Sequence, residues 1–438
     1  MDILGRLNSK TEIHKALKDL PKTLEDTYER ILMGIHPLNR SIAHKTLQLL
    51  AVEDVPTLQG IAEAAVVDVD QCSFTTDNRL LHPTDLLEIC SYLIAVDDYG
   101  QIGFAHYTVL EYLTSQRIQD GRAAMFKVSA DEARVLGTVI RIIYLLNLPY
   151  DRLPSATEIF SLDEDGRNSL VEQVDQKFPF ITDAVFSWDG DLGWGNILTN
   201  GPLSELVLRL LDAQEAHFQS FEEYNTIFGQ VHVRCFFRPK LQTDAQSSMT
   251  LAYLCRLGLV EVAEVLLMRN LDSSILENRL EQRPEFHENY HHLLDVEGPP
   301  LQVAAMMGEI DMAKLLIRYG ADVNASYGGW AILTSTLRSK ENIYRYDDPN
   351  IVSLLLNAGA SPNPAGVCKT PLQLAVNEDH QIEAVKLLLA AGAEVNAARS
   401  DDAVATDMEH RFATTTFRSD STSLESYYDN PLLMVEKR

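Results

Sequence analysis

The stretch "PLQVAAMMGEIDMAKLLIRYGADVNA", residues 300–325, carries the strongest fold signal in this sequence. It opens on a proline, whose fixed φ and missing N–H suit the first turn of a helix. Met312, Leu315 and Leu316 then recur at helical spacing. Gly320 follows them, at the point where an ending helix needs a left-handed residue. The stretch therefore predicts two short helices and a glycine-closed turn, a unit too small to bury its apolar face alone.

Similar units recur along the chain, as "NIVSLLLNAGASPN" (350–363) and "TPLQLAVNEDHQIEAVKLLLAAGAEVNA" (370–397). A weaker copy, "TLAYLCRLGLVEVAEVLLMRN", begins at Thr250, with Gly258 in the place of Gly308. The glycines that close the three clearer units are Gly320, Gly359 and Gly392. Their spacings, 359 minus 320 and 392 minus 359, are 39 and 33 residues. A period of this length predicts stacked units that share one continuous core.

These units resemble the ankyrin repeat, whose period is about 33 residues. The resemblance implies about four repeats over residues 246–397, with an insert at 276–298. One departure is that Gln302 and Gln373 stand where the family usually has the histidine of T-P-L-H. The alternative interpretation is an ordinary helical domain with chance similarity. The predicted fold class is mostly α, with an ankyrin-repeat α-solenoid at its C-terminal end.

The ankyrin resemblance implies protein partners, held on the concave face formed by the turn tips and the first helices. Aromatic and amide side chains on rigid tips lose little freedom on binding and make efficient contacts. The candidate partner-binding residues are Asp322, Asn324, Tyr327, Trp330, Asn363 and Lys369.

The N-terminal part of the chain predicts a winged helix at residues 38–120, after a helical lead-in at 1–37. Helical patterns occur in "RSIAHKTLQLLAV", "TLQGIAEAAVV" and "HPTDLLEIC". Residues 91–96 and 101–105, joined by a turn that ends at Gly100, predict a β-hairpin. Three helices followed by a hairpin describe a winged helix.

Three stretches in this region resemble a known family: "LPKTLEDTYERIL" (20–32), "HPTDLLEICSYLIAVDDYGQIGFAHYTVLEYLTS" (82–115) and "FPFITDAVFSW" (178–188). They are similar to the winged-helix region of fungal NACHT-type, STAND-class proteins, a region commonly named after a GPI inositol-deacylase. In that family the region follows a nucleotide-binding NACHT domain and precedes ankyrin or other repeats. The similarity runs over residues 1–188.

The family's ATPase motif is missing from this sequence. No G-x-x-x-x-G-K-[ST] loop is present to hold phosphates, and no G-x-S-x-G stretch to carry a nucleophile. The resemblance therefore implies recognition modules without the ATPase, in a chain expected to begin where the NACHT domain would end. We expect no cofactor. Residues 40–118 carry four basic against eleven acidic side chains, which argues against direct binding of nucleic acid.

The hexapeptide "HENYHH", residues 287–292, contains the H-E-x-x-H spacing of zinc peptidases. In such a site His287 and His291 would bind zinc while Glu288 activates water. No histidine follows at a spacing that would supply a third ligand, so we interpret the hexapeptide as an exposed insert and expect no metal. A cryptic zinc hydrolase is the alternative from another functional class. His106 is likewise interpreted as a packed, hydrogen-bonded side chain rather than a catalytic base.

The remaining segments and the composition give coarser predictions. Residues 121–245 predict a helical connector, in which "NGPLSELVLRLLDAQ" (200–214) is a candidate degenerate repeat. The Ser-, Thr- and Asp-rich residues 398–438 predict disorder. Five separated cysteines are typical of reduced intracellular thiols, and no segment is long and apolar enough to predict a membrane span. The net charge of −26 disfavours anionic membranes.

The functional prediction is a non-enzymatic adaptor that joins proteins in the cytoplasm, the nucleus or both. The alternative within the same class is a transcription coregulator, such as ankyrin proteins encoded near fungal secondary-metabolite genes, acting through a DNA-binding partner. The oligomeric state stays open.

Overall fold

Helices form most of the chain, so the predicted mostly α fold with ankyrin repeats is confirmed. The structure is a computed structural model, and it describes residues 23–52, 57–149, 153, 162–188, 201–212, 246–269, 274–277, 298–327, 330–337, 349–365, 369–377 and 382–395. The chain divides into two compact units. The first unit holds the described residues up to 210, and the second holds those from 211 onward.

Among the described residues of the first unit, four helices precede the hairpin. They are α1 (Leu24–Gly34), α2 (Arg40–Leu50), α3 (Leu58–Ala65) and α4 (Asp85–Ile89). Thr23 caps α1, because its hydroxyl accepts the backbone N–H of Asp26 at 3.1 Å. Thr57 caps α3 in the same way, accepting the N–H of Gly60 at 3.0 Å. Local capping by threonine thus sets where two of the predicted helices begin.

The predicted hairpin is present, as β1 (Ile94–Val96) paired antiparallel with β2 (Ile102–Phe104). Its turn is held by Asp97 and closed by Gly100, whose φ is +81°. β1 starts later than predicted because Ser91 and Tyr92 have φ of +52° and +62° and cannot continue a strand. Three helices and a hairpin follow one another in the expected order, and the assignment of this region as a winged helix stays a prediction.

The rest of the first unit is built around one long buried helix. Its elements are α5 (Tyr107–Thr114), α6 (Gln116–Asp120), α7 (Ala130–Leu146), α8 (Glu164–Lys177), α9 (Ile181–Ser187) and α10 (Gly201–Leu210). α7 packs against α2, α3, α9 and α10, and Ile140, Ile143 and Tyr144 are fully buried. The candidate degenerate repeat contributes α10 to this unit, and its identity as a repeat stays a prediction. The predicted limit between winged helix and connector, at residue 120, lies inside the unit.

The described part of the second unit contains four helix pairs. The pairs are α11 (Gln246–Leu257) with α12 (Val260–Arg269), α14 (Pro300–Met306) with α15 (Ile310–Arg318), α16 (Ile332–Ser335) with α17 (Pro349–Asn357), and α18 (Pro371–Asn377) with α19 (Ile382–Ala390). A short helix, α13 (Ser274–Glu277), lies between the first two pairs, and a hairpin of β3 (Ser326–Tyr327) and β4 (Trp330–Ala331) precedes α16. As predicted, α14 and α18 begin at the prolines.

The helix pairs stack in two layers, as expected of a solenoid. The first helices α11, α14, α16 and α18 pack in one row, and the second helices α12, α15, α17 and α19 pack in another. Gly320, Gly359 and Gly392 have φ of +95°, +95° and +89°, which confirms the predicted left-handed closure. Each is followed by an alanine whose N–H donates back into the ending helix, as Ala321 does to Leu316 at 3.0 Å.

Several predictions concern residues that the structure does not describe. The lead-in before residue 23, most of the insert at 276–298, "HENYHH", most of the connector between 189 and 245, and the C-terminal residues 398–438 lie outside the described residues.

Candidate protein-binding surface of the repeats

Asn324 lies four residues after Gly320 and links two neighbouring repeats. Its side-chain amide donates to the carbonyl of Gly359 at 3.1 Å. Its side-chain oxygen accepts the backbone N–H of Ser361 at 2.7 Å. Its own backbone N–H donates to Asp322 Oδ1 at 2.9 Å, which fixes the turn from which the side chain reaches out. Asn324 therefore holds the closing turn of the following repeat.

Asn363, four residues after Gly359, repeats this arrangement one unit later. Its amide donates to the carbonyl of Gly392 at 2.9 Å, and its side-chain oxygen accepts the N–H of Glu394 at 2.8 Å. Both asparagine side chains thus bind the next repeat. The sequence signal for this role was the shared four-residue spacing from the closing glycine. Whether either side chain also contacts a partner stays a prediction.

The other four candidate residues differ in accessibility. Trp330 is 6% exposed and belongs to the core of its repeat, while Tyr327, paired with it across β3 and β4, is half-buried. Asp322 is exposed and Lys369 is half-buried. We call Asp322, Tyr327 and Lys369 the tip surface, because these candidates keep accessible side chains that do not form the asparagine links. No hydrogen bond or ion pair joins Lys369 to the other five candidates within the described residues.

The two glutamines at the position of the family's histidine make different contacts. Gln373 forms a reciprocal cap with Thr370: its Oε1 accepts the Thr370 N–H at 3.1 Å, and its N–H donates to Thr370 Oγ1 at 3.2 Å. Pro299 stands three residues before Gln302, where Thr370 stands relative to Gln373, and it has neither a backbone N–H nor a hydroxyl. Gln302 Nε2 donates instead to Ser335 Oγ in the next first helix, at 2.9 Å, and its buried Oε1 has no partner. A hydrogen bond from the glutamine across its own turn is therefore present in one repeat and absent in the other.

Of the three cysteines that the structure describes, Cys90 and Cys255 are buried and Cys72 is half-buried. Burial raises the pKa of Cys90 to about 12 and raises the pKa of Cys255 as well, so both are protonated thiols. No group of three metal-binding side chains converges within the described ranges, and those ranges do not include "HENYHH".

The interpretation of His106 as a packed side chain is wrong. His106 is exposed, and it caps α5 by accepting the backbone N–H of Thr108 at 3.3 Å. Its Nδ1 also lies 2.8 Å from Thr108 Oγ1. The ring is hydrogen-bonded as expected, but it serves a helix start that lies at the surface.

A separate structural test concerns membranes. Within the described ranges, no helix combines the length and the apolar character that crossing a bilayer requires.

Comparisons with known proteins support the assignment of the repeats. The ankyrin repeat family matches residues 299–326 and 368–400, which correspond to the second and fourth helix pairs. The chain therefore contains ankyrin repeats, modules that imply protein partners.

One curated relative comes from a fungus. The chain is similar to "Azaphilone pigments biosynthesis cluster protein L" of Monascus ruber, with 34% identity over 139 residues. The match covers 30% of this chain and 29% of the relative, so it spans less than a third of either protein.

Proposed function

We propose that this chain is a non-enzymatic adaptor that gathers protein partners on its ankyrin repeats. The observation that supports this most is the pair of asparagine links, which tie the closing turns of consecutive repeats to one another. Turns fixed in this way present the tip surface without a large loss of freedom on binding. The partner is a protein with a polar patch, because the tip surface offers a carboxylate, a phenol and an ammonium group.

Purification from the native cell, followed by quantitative mass spectrometry, tests this proposal. A triple variant, Asp322→Ala with Tyr327→Ala and Lys369→Ala, should lose a defined set of proteins that the wild type retains. The matched control is Lys314→Ala, which removes an exposed lysine from α15 on the second-helix layer. The proposal fails if the triple variant and the control retain the same proteins as the wild type.

A transcription coregulator is the second candidate function, and the relative's name is compatible with it. That name refers to a pigment biosynthesis cluster, and a coregulator would act on the genes of such a cluster. The acidic excess in residues 40–118 supports action through a DNA-binding partner, without direct contact to DNA. Chromatin immunoprecipitation and the levels of cluster transcripts in a deletion strain distinguish a coregulator from an adaptor. Unchanged transcripts and no enriched DNA favour the adaptor.

The non-enzymatic part of the proposal is supported by the protonated, buried thiols and by the missing P-loop. Its direct competitor is a zinc hydrolase at "HENYHH". The adaptor and the hydrolase differ in a measurable quantity, the zinc content of the purified chain.

A further inference from the structure

A cleft opens between α1 on one side and α5 and α6 on the other, in the first unit. Its volume is about 480 Å³, which lies in the range of small-molecule sites. It is lined by Glu25, Asp26, Glu29, Tyr112, Arg117, Asp120 and Gly121. Four carboxylates against one guanidinium leave the lining with a charge of −3.

Two of these carboxylates already have partners. Asp26 forms an ion pair with Arg117, and Glu29 Oε1 accepts the backbone N–H of Arg122 at 2.7 Å. Glu25 and Asp120 form no ion pair within the described residues. The position of Glu25 in the first turn of α1 is ordinary for a helix start, where negative charge is favourable. Asp120 ends α6 and has no such explanation.

Tyr112 provides an independent observation. The residue is only 4% exposed, and among the described residues its hydroxyl has no hydrogen-bond partner. Burial raises the pKa of this phenol, and the nearby charges of Glu29, Arg117, Asp26 and Glu25 also act on it. Tyr112 lines the cleft together with these four groups. A hydroxyl without a protein partner gains a hydrogen bond when a ligand or water reaches it.

The geometry of the lining decides which cation fits. No three carboxylates converge as metal ligands do, among the residues that the structure describes. The negative groups are instead distributed over two helices around a space far larger than one metal ion.

We propose that this cleft binds an organic cation: an ammonium or guanidinium group on a short aliphatic stem. Asp120 and Glu25 supply the unpaired charges, and the Tyr112 oxygen accepts a hydrogen bond from the cation. The same chemistry has two sources, a free polyamine or a lysine or arginine side chain of a protein. The site does not depend on the ankyrin repeats or on their proposed function.

Calorimetric titration of the full chain with three probes tests this site. The probes are spermidine, N-acetyl-arginine amide, and N-acetyl-citrulline amide as the uncharged counterpart. The charged probes should bind and the citrulline probe should not. Saturation by spermidine alone assigns a free polyamine, and saturation by the arginine probe alone assigns a protein side chain. If neither charged probe binds, or if citrulline amide binds as well as arginine amide, the proposal is overturned.

Variants show whether binding occurs in the cleft. Glu25→Gln with Asp120→Asn should weaken binding by about tenfold or more, because two charge-assisted bonds are lost. The control Asp131→Asn removes an exposed charge of the same unit outside the cleft and should leave binding unchanged. Equal effects of the double variant and the control would overturn the proposal. So would calcium binding that the double variant abolishes, since that would make the cleft a metal site.

Tyr112→Phe separates a binding role from a structural one. Because the hydroxyl has no partner in the described structure, its removal should leave the melting temperature unchanged. Binding of the charged probe should nevertheless weaken several-fold, about the loss of one hydrogen bond to a charged group. Unchanged probe affinity in this variant would contradict the assigned role of the Tyr112 oxygen.

Discussion

At the scale of single residues, Pro299 explains an unsatisfied buried atom. In the fourth helix pair, Thr370 supplies both the N–H and the hydroxyl of a capping box with Gln373. Pro299 occupies the equivalent position before α14 and supplies neither. Gln302 Oε1 is consequently buried without a partner, while Nε2 bonds to Ser335. The repeat lacks this cap, but Pro299 lowers the conformational entropy of the unfolded chain and so stabilises the folded state.

Pro299→Thr should raise the free energy of unfolding. The new cap contributes about 0.5–2 kcal/mol, from which about 0.4–1 kcal/mol is lost with the proline restraint. Urea denaturation followed by circular dichroism measures the difference. The gain should be smaller in a Gln302→Leu background, where the new hydroxyl can still accept the residue-302 backbone N–H but no side-chain oxygen can accept the new N–H. A gain of equal size in both backgrounds would contradict the capping explanation.

A second feature at this scale is the buried carboxylate of Glu63 on α3. Its Oε2 accepts the Tyr144 hydroxyl at 2.7 Å and the Phe180 N–H at 3.2 Å, and Arg79 forms an ion pair with it. Burial raises the pKa of Glu63, and the bonds to Tyr144, Arg79 and Phe180 only partly counter this. The carboxylate thereby ties α3 to α7 and to the turn before α9.

The raised pKa of Glu63 predicts a pH dependence of stability. The unfolded carboxyl has the lower pKa, so it loses its proton first as pH rises. Glu63 makes its full contribution to the free energy of unfolding below the unfolded pKa, about 4.3. This contribution falls as pH rises through the higher folded pKa. The wild type should therefore lose stability relative to Glu63→Gln as pH rises from about 4.3 toward neutral. Urea denaturation across this range measures the difference in the free energy of unfolding. The control is Glu383→Gln, an exposed substitution whose free energy of unfolding should change with pH as that of the wild type does.

At the scale of elements, the last helix pair differs from the pairs before it. Ala305 at the end of α14 is 2% exposed, whereas Val376 at the equivalent position of α18 is 63% exposed. Leu315 in α15 is likewise buried, while its counterpart Leu387 in α19 is half-buried. The reason is stacking: α14 lies between α11 and α16, and α18 has a described first helix on one side only.

Glutamate at these two equivalent positions should have opposite consequences. Ala305→Glu places an unpaired charge between stacked helices and should cost about 3 kcal/mol or more. Val376→Glu exposes the charge to water and should change the free energy of unfolding by no more than about 0.5 kcal/mol. Thermal and urea unfolding of the full chain measure the loss of stability in the two variants. If Val376→Glu proves as damaging as Ala305→Glu, another segment or molecule covers the end of the stack.

At the scale of the whole molecule, the open question is whether any part of the chain carries out chemistry. The net charge of −26 is distributed over the sequence and does not mark a catalytic centre. The single motif with a catalytic precedent is "HENYHH", in the insert between the first two helix pairs, outside the described residues.

Zinc content decides between an adaptor and a hydrolase. The adaptor proposal predicts that protein purified without a histidine tag holds less than one zinc per chain. It also predicts that His287→Ala with His291→Ala changes neither zinc content nor folding, because exposed substitutions alter stability by about 0.5 kcal/mol or less. Elemental analysis and circular dichroism provide the measurement. Stoichiometric zinc that disappears in the double variant would establish the hydrolase alternative.

The repeats, the closing glycines and the hairpin with its glycine turn could be predicted from the sequence. These features depend on local rules, in which proline starts helices, glycine permits left-handed turns and spacing reveals buried faces. Local rules were also sufficient to select the loops that carry Asn324 and Asn363. They could not assign those side chains a role, because the carbonyls that accept their hydrogen bonds lie in the next repeat.

The tertiary structure alone decided which side chains meet across long sequence distances. Glu25 and Asp120 line one cleft although 95 residues (120 minus 25) separate them, and no pattern in the sequence joins them. The same holds for Glu63 and Phe180, whose bond spans 117 residues. Trp330 looked like a contact residue by type and position, yet packing within its repeat buries it. Burial and long-range contact arise from how whole helices pack, which the composition of any one helix does not encode.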